Sequence, residues 1–132
     1  MKKIDTFHTD KAPAAVGPYS QAIGFGEMLF VSGQLGFDPA TGLFAGGEDD
    51  FAAQARQALN NLSAILTASD SSLEKVLAVD VFLTNMKRFA EFNSIYEEFF
   101  HSHKPARAAI EVSGLPKGGL VEIKCVAVRM QG

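Results

Sequence analysis

The sequence predicts a single α+β domain, residues 1–132, that associates with copies of itself. Apolar spacing changes between period two and the helical period in the order strands, helix, strand, helix, strand, strand. The chain has 132 residues, 47% of them hydrophobic and 20% charged. A chain of that size buries roughly two thirds of its unfolded surface, enough for one core. Two helices can cover one face of a mixed sheet, and nothing is left to cover the other. Sheet faces that stay apolar must be buried, so a homo-oligomer is expected.

Residues 11–18, KAPAAVGP, read as an irregular segment feeding a strand at 19–24. The apolar run at 27–33 suits a buried strand, and DPATG at 38–42 suits a turn. Glu48, Asp49 and Asp50 match the positive end of a helix dipole. Phe51, Ala55, Ala58, Leu59, Leu62, Ile65 and Leu66 then follow at helical spacing. Gln54, Arg56, Gln57, Asn60 and Asn61 take the wet side of that helix.

SDSS at 69–72 breaks the helix. Residues 76–84 alternate as a strand, with Leu77, Val79, Val81 and Leu83 on one face and Val76, Ala78, Asp80 and Phe82 on the other. Thr84 or Asn85 can cap a second helix. Its aromatic stripe, Phe89, Phe92, Tyr96, Phe99 and Phe100, reads as core packing. Pro105 disfavours helix just before it. Strands follow at 106–112 and 120–129, joined by the turn-rich SGLPKGG.

In 106–112, Ala108, Ile110 and Val112 share one face, and Arg107, Ala109 and Glu111 share the other. In 120–129, Val121, Ile123, Cys125 and Ala127 form a clean apolar face opposite Glu122 and Lys124. With helices on the clean faces, Arg107 and Glu122 are expected on the same uncovered side, beside Phe82, Val126 and Val128. Charge at such a boundary is expensive unless paired or used. A structural ion pair of Arg107 with Glu122 or Glu111 is the economical reading of the strands alone. An unpaired guanidinium flanked by Ala108 and Ala109 has another use, as a bidentate clamp for a carboxylate.

The formal net charge is -3, and the 12 Lys and Arg residues are scattered, which argues against nucleic acid as a partner. No run of 18 apolar residues exists, so no membrane-spanning helix is expected. The first ten residues lack the apolar stretch of a secretory signal, and Cys125 has no second cysteine to pair with. Together these point to a cytoplasmic setting. His101 and His103 have the wrong spacing for one helical metal face, and the acids after GLFAGG would repel phosphate, so neither a metal nor a phosphate site is expected.

An ordered set of segments carries a resemblance: APAAVGPYSQA at 12–22, VSGQLG at 31–36, AAQARQALNNLSAIL at 52–66, FNSIYEEFF at 92–100, PARAAIEVSGLPKG at 105–118 and VEIKCVAV at 121–128. The chain resembles the reactive-intermediate deaminases, the Rid family, whose older label is L-PSP endoribonuclease or translation inhibitor. The resemblance runs almost end to end. It implies a chorismate-mutase-like α+β fold and a homotrimer with three sites between subunits. It implies hydrolysis of 2-imino acids, or their enamine tautomers, to 2-keto acids and ammonia, with no metal or cofactor. That activity protects pyridoxal-phosphate enzymes from the reactive imines.

Residue by residue, Arg107 matches the family's carboxylate-binding arginine, and Glu122 the acid that positions water or moves protons. Tyr19, Ser32 and Asn93 match polar positions lining the same cleft. Gly33 and Ala109 match positions where backbone approaches the ligand. Ala109 stands where the best-known members carry a cysteine, so a backbone N–H is expected to serve there. Taken without the resemblance, Tyr19 is a strand aromatic, Ser32 a strand-end hydroxyl and Asn93 a buried hydrogen-bonding group. The competing functions are an endoribonuclease or translation inhibitor, and a non-catalytic module for small carboxylates. Chorismate mutase itself is disfavoured, because a dicarboxylate needs more cations than Arg107 alone.

Overall fold

Residues 2–130 are described in a computed structural model of the chain. Among them, six strands form one sheet: β1 (Ile4–Phe7), β2 (Ala22–Phe25), β3 (Met28–Gln34), β4 (Val76–Leu83), β5 (Ala106–Glu111) and β6 (Val121–Val128). The spatial order is β1-β2-β3-β6-β4-β5. Helix α1 (Phe51–Ala68) links β3 to β4, and α2 (Phe89–Phe99) links β4 to β5. Every neighbouring pair is antiparallel except β4 and β5, which are parallel.

This order explains why one face is covered. Both helical crossovers run in the same direction along the sheet, from β3 towards β5. Crossovers between parallel strands are right-handed almost without exception, so both helices land on the same side. The core lies there: Leu29, Val31, Val79, Val81, Ile123 and Cys125 point at Leu59, Leu62, Ile65 and Phe92, all 4% exposed or less. On the opposite face Phe30 and Ile110 are 48% and 50% exposed, and Phe82, Val126 and Val128 are half-buried.

The helix start is as expected, with the Asp50 side chain accepting from the Ala53 N–H at 3.0 Å. The wet side needs correction, because Gln54 and Asn61 are fully buried. They fasten loops that cross the helix. Gln54 donates to the Gly47 and Glu48 carbonyls and accepts from the Leu120 N–H. Asn61 donates to the carbonyls of Leu35 and Phe37. Loop backbone over a helix must find partners, and an amide side chain supplies both donor and acceptor. Gln54→Leu, which removes three hydrogen bonds to loop backbone, is expected to cost about 3 kcal/mol in chemical denaturation.

Four further boundaries differ. Residues 4–7 pair with β2 as an edge strand, which the mixed pattern Ile-Asp-Thr-Phe does not announce. The strand expected at 19–24 starts at Ala22, because the Gln21 side chain turns inward to donate to the carbonyls of Thr9 and Pro13. In β4, Val76 pairs with Ala127 and Ala78 with Val126, so Leu77 is an extra residue in a bulge. The bulge shifts the alternation, burying Val76 and leaving Leu77 46% exposed. Asn85 does cap, but it caps a single 3-10 turn, Met86–Arg88, that precedes α2.

The main correction concerns Arg107. In the parallel ladder Arg107 stands beside Val79, and Val79 stands beside Cys125 on β6. Residues directly opposite share a face, so Arg107 is on the helix-covered side. Glu122 stands beside the half-buried Phe82 on the open side. The two charges therefore lie on opposite faces of one sheet, with β4 between their strands. β5 is an edge strand whose residues are mostly exposed. Its helix-facing positions are wet enough for Arg107 and Glu111, while Ile110 joins Phe82 on the open face.

Candidate active site

Edge position alone would leave the Arg107 side chain loose, so its surroundings on α2 decide its orientation. Phe89, Asn93 and Tyr96 are spaced four and three apart, which puts them on one helix face. The Arg107 Nη1 donates to Asn93 Oδ1 at 2.8 Å. Its guanidinium carbon lies 4.8 Å from the Tyr96 ring centre and 5.5 Å from that of Phe89. Among the described residues no carboxylate comes within salt-bridge distance of it. Glu111 is occupied elsewhere, accepting from the Met86 N–H at 2.7 Å. Neither ion pair anticipated for Arg107 forms. A guanidinium carries five donors, and the neutral shelf beneath Arg107 uses one of them. The shallow depression around it is also lined by Lys104 and Pro105. Ala109 follows two residues later on the same strand face, half-buried beside Val81.

A second group of residues forms around β3 and β6. Between Val31 and Gln34 the ladder advances three residues on β3 against two on β6, a bulge that contains Ser32 and Gly33. The bulge brings the Gly33 backbone against the Glu122 side chain. A Cβ on Gly33 would stand 2.5 Å from Glu122 Oε2, so a side chain here would displace the carboxylate. The Ser32 hydroxyl donates to the Ser20 carbonyl, and its N–H donates to the Gln21 carbonyl. These bonds hold the segment carrying Tyr19, which is exposed and lines an apolar groove with Gly33, Val16, Leu35 and Phe37.

The structure thus brings Arg107, Asn93 and Ala109 together, and separately brings Glu122, Gly33, Ser32 and Tyr19 together. Within one chain it does not join the two groups. The roles of Phe89 and Tyr96 beneath Arg107 were hidden by reading the aromatic stripe as core alone. Their spacing around Asn93 was the signal that could have shown them.

Burial raises the Glu122 carboxyl above its ordinary value of 4.5, with Lys124 pulling the other way. Burial pushes the Tyr96 hydroxyl up to about 12, against the pull of Arg107, and the Cys125 thiol also to about 12. Neither is a ready nucleophile or base near neutrality. For Glu122, a raised folded value means its protonated form favours the fold. That contribution is complete below 4.5 and is lost as pH rises through the higher folded value. Glu122→Gln, which stays neutral, is therefore expected to be at least as stable as the wild type at pH 7 in thermal unfolding.

His103 Nε2 lies 2.6 Å from the Val76 carbonyl and ties the segment between α2 and β5 to β4, while His101 is exposed. Among the described residues no three His, Cys, Asp or Glu side chains gather as a metal site requires. No helix there is long and apolar enough to cross a membrane.

Residues 9–129 match the family described as Endoribonuclease L-PSP. A RutC family protein of Pyrococcus horikoshii is 46% identical over 129 residues, covering 98% of this chain and 99% of that protein. A protein of Bos taurus named 2-iminobutanoate/2-iminopropanoate deaminase is 47% identical over 122 residues, covering 92% of this chain and 87% of its own length. Among solved structures, a Rid family protein from Yersinia pestis superposes with a TM-score of 0.91 at 40% identity, covering 96% of this chain and 99% of its own. TdcF from E. coli, solved with bound serine, superposes at 0.89 with 38% identity, covering 95% and 98%. With a match spanning nearly its whole length and this fold, the chain belongs to the endoribonuclease L-PSP family, in which the Rid proteins fall.

Proposed function

We propose that the chain hydrolyses 2-imino acids, or their enamine tautomers, to 2-keto acids and ammonia, at sites completed by a second copy of itself. The observation that carries this is the Arg107 guanidinium, oriented by neutral groups and, among the described residues, without a carboxylate partner. Such a group is built to receive a carboxylate from outside the chain. The bovine relative's name supplies the reaction class, and serine bound to TdcF is, like a 2-imino acid, a small carboxylate with nitrogen on the adjacent carbon.

The chemistry needs little machinery. Arg107 and Asn93 hold the substrate carboxylate, and the backbone at Ala109 and Gly33 shapes the space around C2. A protonated C=N is already electrophilic at C2. The Glu122 carboxylate takes a proton from water as the water oxygen bonds to C2, giving a carbinolamine. The protonated Glu122 carboxyl then returns its proton to nitrogen, and ammonia leaves as the C2 hydroxyl gives its proton to the carboxylate and becomes the ketone oxygen. Tyr19 and Ser32 orient the water and the departing nitrogen. Orientation and electrostatics supply the rate, and no metal or cofactor enters.

Arg107 and Glu122 stand on opposite faces of one chain, so both reach one substrate only across a subunit boundary. The exposed Phe30 and Ile110 and the half-buried Phe82 and Val126 offer an apolar surface for that contact. A closed ring of three copies, with the chorismate-mutase-like arrangement, buries the open faces together and forms three equivalent sites. The proposed setting is the cytoplasm, beside the pyridoxal-phosphate enzymes that release such imines.

A coupled assay tests the reading. A threonine dehydratase generates the imine, and keto-acid release is followed with and without the protein. Acceleration above the spontaneous rate is expected, and none would refute the activity. With a carboxylate as the water's base, kcat/KM is expected to fall on acidification through a limb above 4.5, as the raised Glu122 carboxyl becomes protonated. A net charge of -3 argues against the endoribonuclease of the family's description as the activity of this chain.

A further inference from the structure

The ring of Tyr96 sits beneath the Arg107 guanidinium, yet its hydroxyl is buried among the described residues with no hydrogen-bond partner. Among the described residues the contacts of Tyr96 are made by its ring and not by its hydroxyl. The ring is itself fixed from below. It stacks on Phe100 at 4.8 Å and meets Phe92 at 5.7 Å, and the residue is only 8% exposed. Above it, Arg107 rises from an edge strand whose residues are mostly exposed. The guanidinium rests on Tyr96, Phe89 and Asn93, all on α2.

We infer that Tyr96 is a positioning residue for carboxylate recognition: its ring face holds the Arg107 guanidinium in plane. This rests on the proposed imine-deaminase reading. An aromatic face suits the task better than a carboxylate would. A carboxylate would orient the guanidinium by consuming two donors and cancelling its charge. A ring attracts the cation through its quadrupole and leaves every N–H in the plane free for the ligand. Asn93 fixes the remaining rotation through one donor. Arg107 thus meets the substrate already oriented, which lowers the ordering cost of binding.

If the ring acts in this way, its loss weakens ground-state carboxylate binding more than chemistry. Tyr96→Leu is expected to raise KM about fivefold, the scale of one cation–π contact, with kcat within about twofold. Tyr96→Phe keeps the ring and is expected to restore wild-type KM. An unchanged KM in folded Tyr96→Leu would overturn the inference, as would a KM raised equally in both variants. NMR supplies a readout independent of turnover. The Arg107 Nε–H proton, assigned by its absence in Arg107→Lys, is expected upfield from the ring current in wild type and Tyr96→Phe. Its return to the ordinary position is expected in Tyr96→Leu. Should that variant not fold, an unshifted proton in the wild type overturns the inference. A wild type without deaminase activity but with the shifted proton would refute the functional reading and leave the positioning intact.

Discussion

Arg107→Ala is expected to lower kcat/KM for imine hydrolysis at least about 30-fold, with little loss of stability. A hydrogen-bonded ion pair with bound substrate is worth roughly 2–5 kcal/mol, and each 1.36 kcal/mol is tenfold in rate. Stability changes little because the residue is exposed on an edge strand and engages no carboxylate among the described residues. Within the chain, the substitution removes only a hydrogen bond to Asn93 and the packing on two ring faces. Arg107→Lys should recover only a fraction, since an ammonium cannot bind a carboxylate with a planar fork. Steady-state kinetics in the coupled assay and a thermal melt measure both. Equal acceleration by Arg107→Ala and wild type would remove the clamp from the mechanism.

Equal amounts of Arg107→Ala and Glu122→Gln chains, each near background alone, are expected to recover about a quarter of wild-type activity when refolded together. In a cyclic oligomer each site takes Arg107 from one chain and Glu122 from its neighbour. Random mixing leaves a site with both native residues at about one half times one half. Were both residues drawn from one chain, no mixed site could be intact. Native mass spectrometry distinguishes mixed assemblies from unmixed ones. Mixed assemblies with background activity would mean that no site combines Arg107 of one chain with Glu122 of another, and would overturn the composite site. A monomer at micromolar concentration would end the composite-site reading.

Much of the element order was legible because the apolar periods are long and clean. The eighteen residues of α1 carry an unbroken stripe, and Asp50 caps it where the acids end. The misplacements share one cause. Gln54, Asn61 and Gln21 are polar residues that a pattern assigns to water, yet each is drawn inside to satisfy the carbonyls of loops that pass over it. Leu77 is an apolar residue that a pattern assigns to the core, yet one inserted position turns it outward. Such outcomes depend on which loop passes overhead and which ladder slips.

The site divides in the same way. Arg107, Asn93, Glu122, Tyr19, Ser32, Gly33 and Ala109 were all named from the sequence through the resemblance, and Phe89 and Tyr96 were not. Strand alternation said that Arg107 and Ala109 share a side, and they do. It put Glu122 on the open side, which holds, and put Arg107 there too, which fails.

By itself, then, the sequence determined the order and type of most elements, the apolar faces of β4 and β6, and the chemistry available at Arg107 and Glu122. Only the tertiary structure decided that these two charges occupy opposite faces, that α2 supplies an aromatic seat for the arginine, and that Gly33 makes room for the glutamate. The physical reason is that alternation is a period without a sign. It states which residues point together within a strand. Strand order, the hand of the two crossovers and the bulges decide which face each set receives, and those are properties of the whole chain.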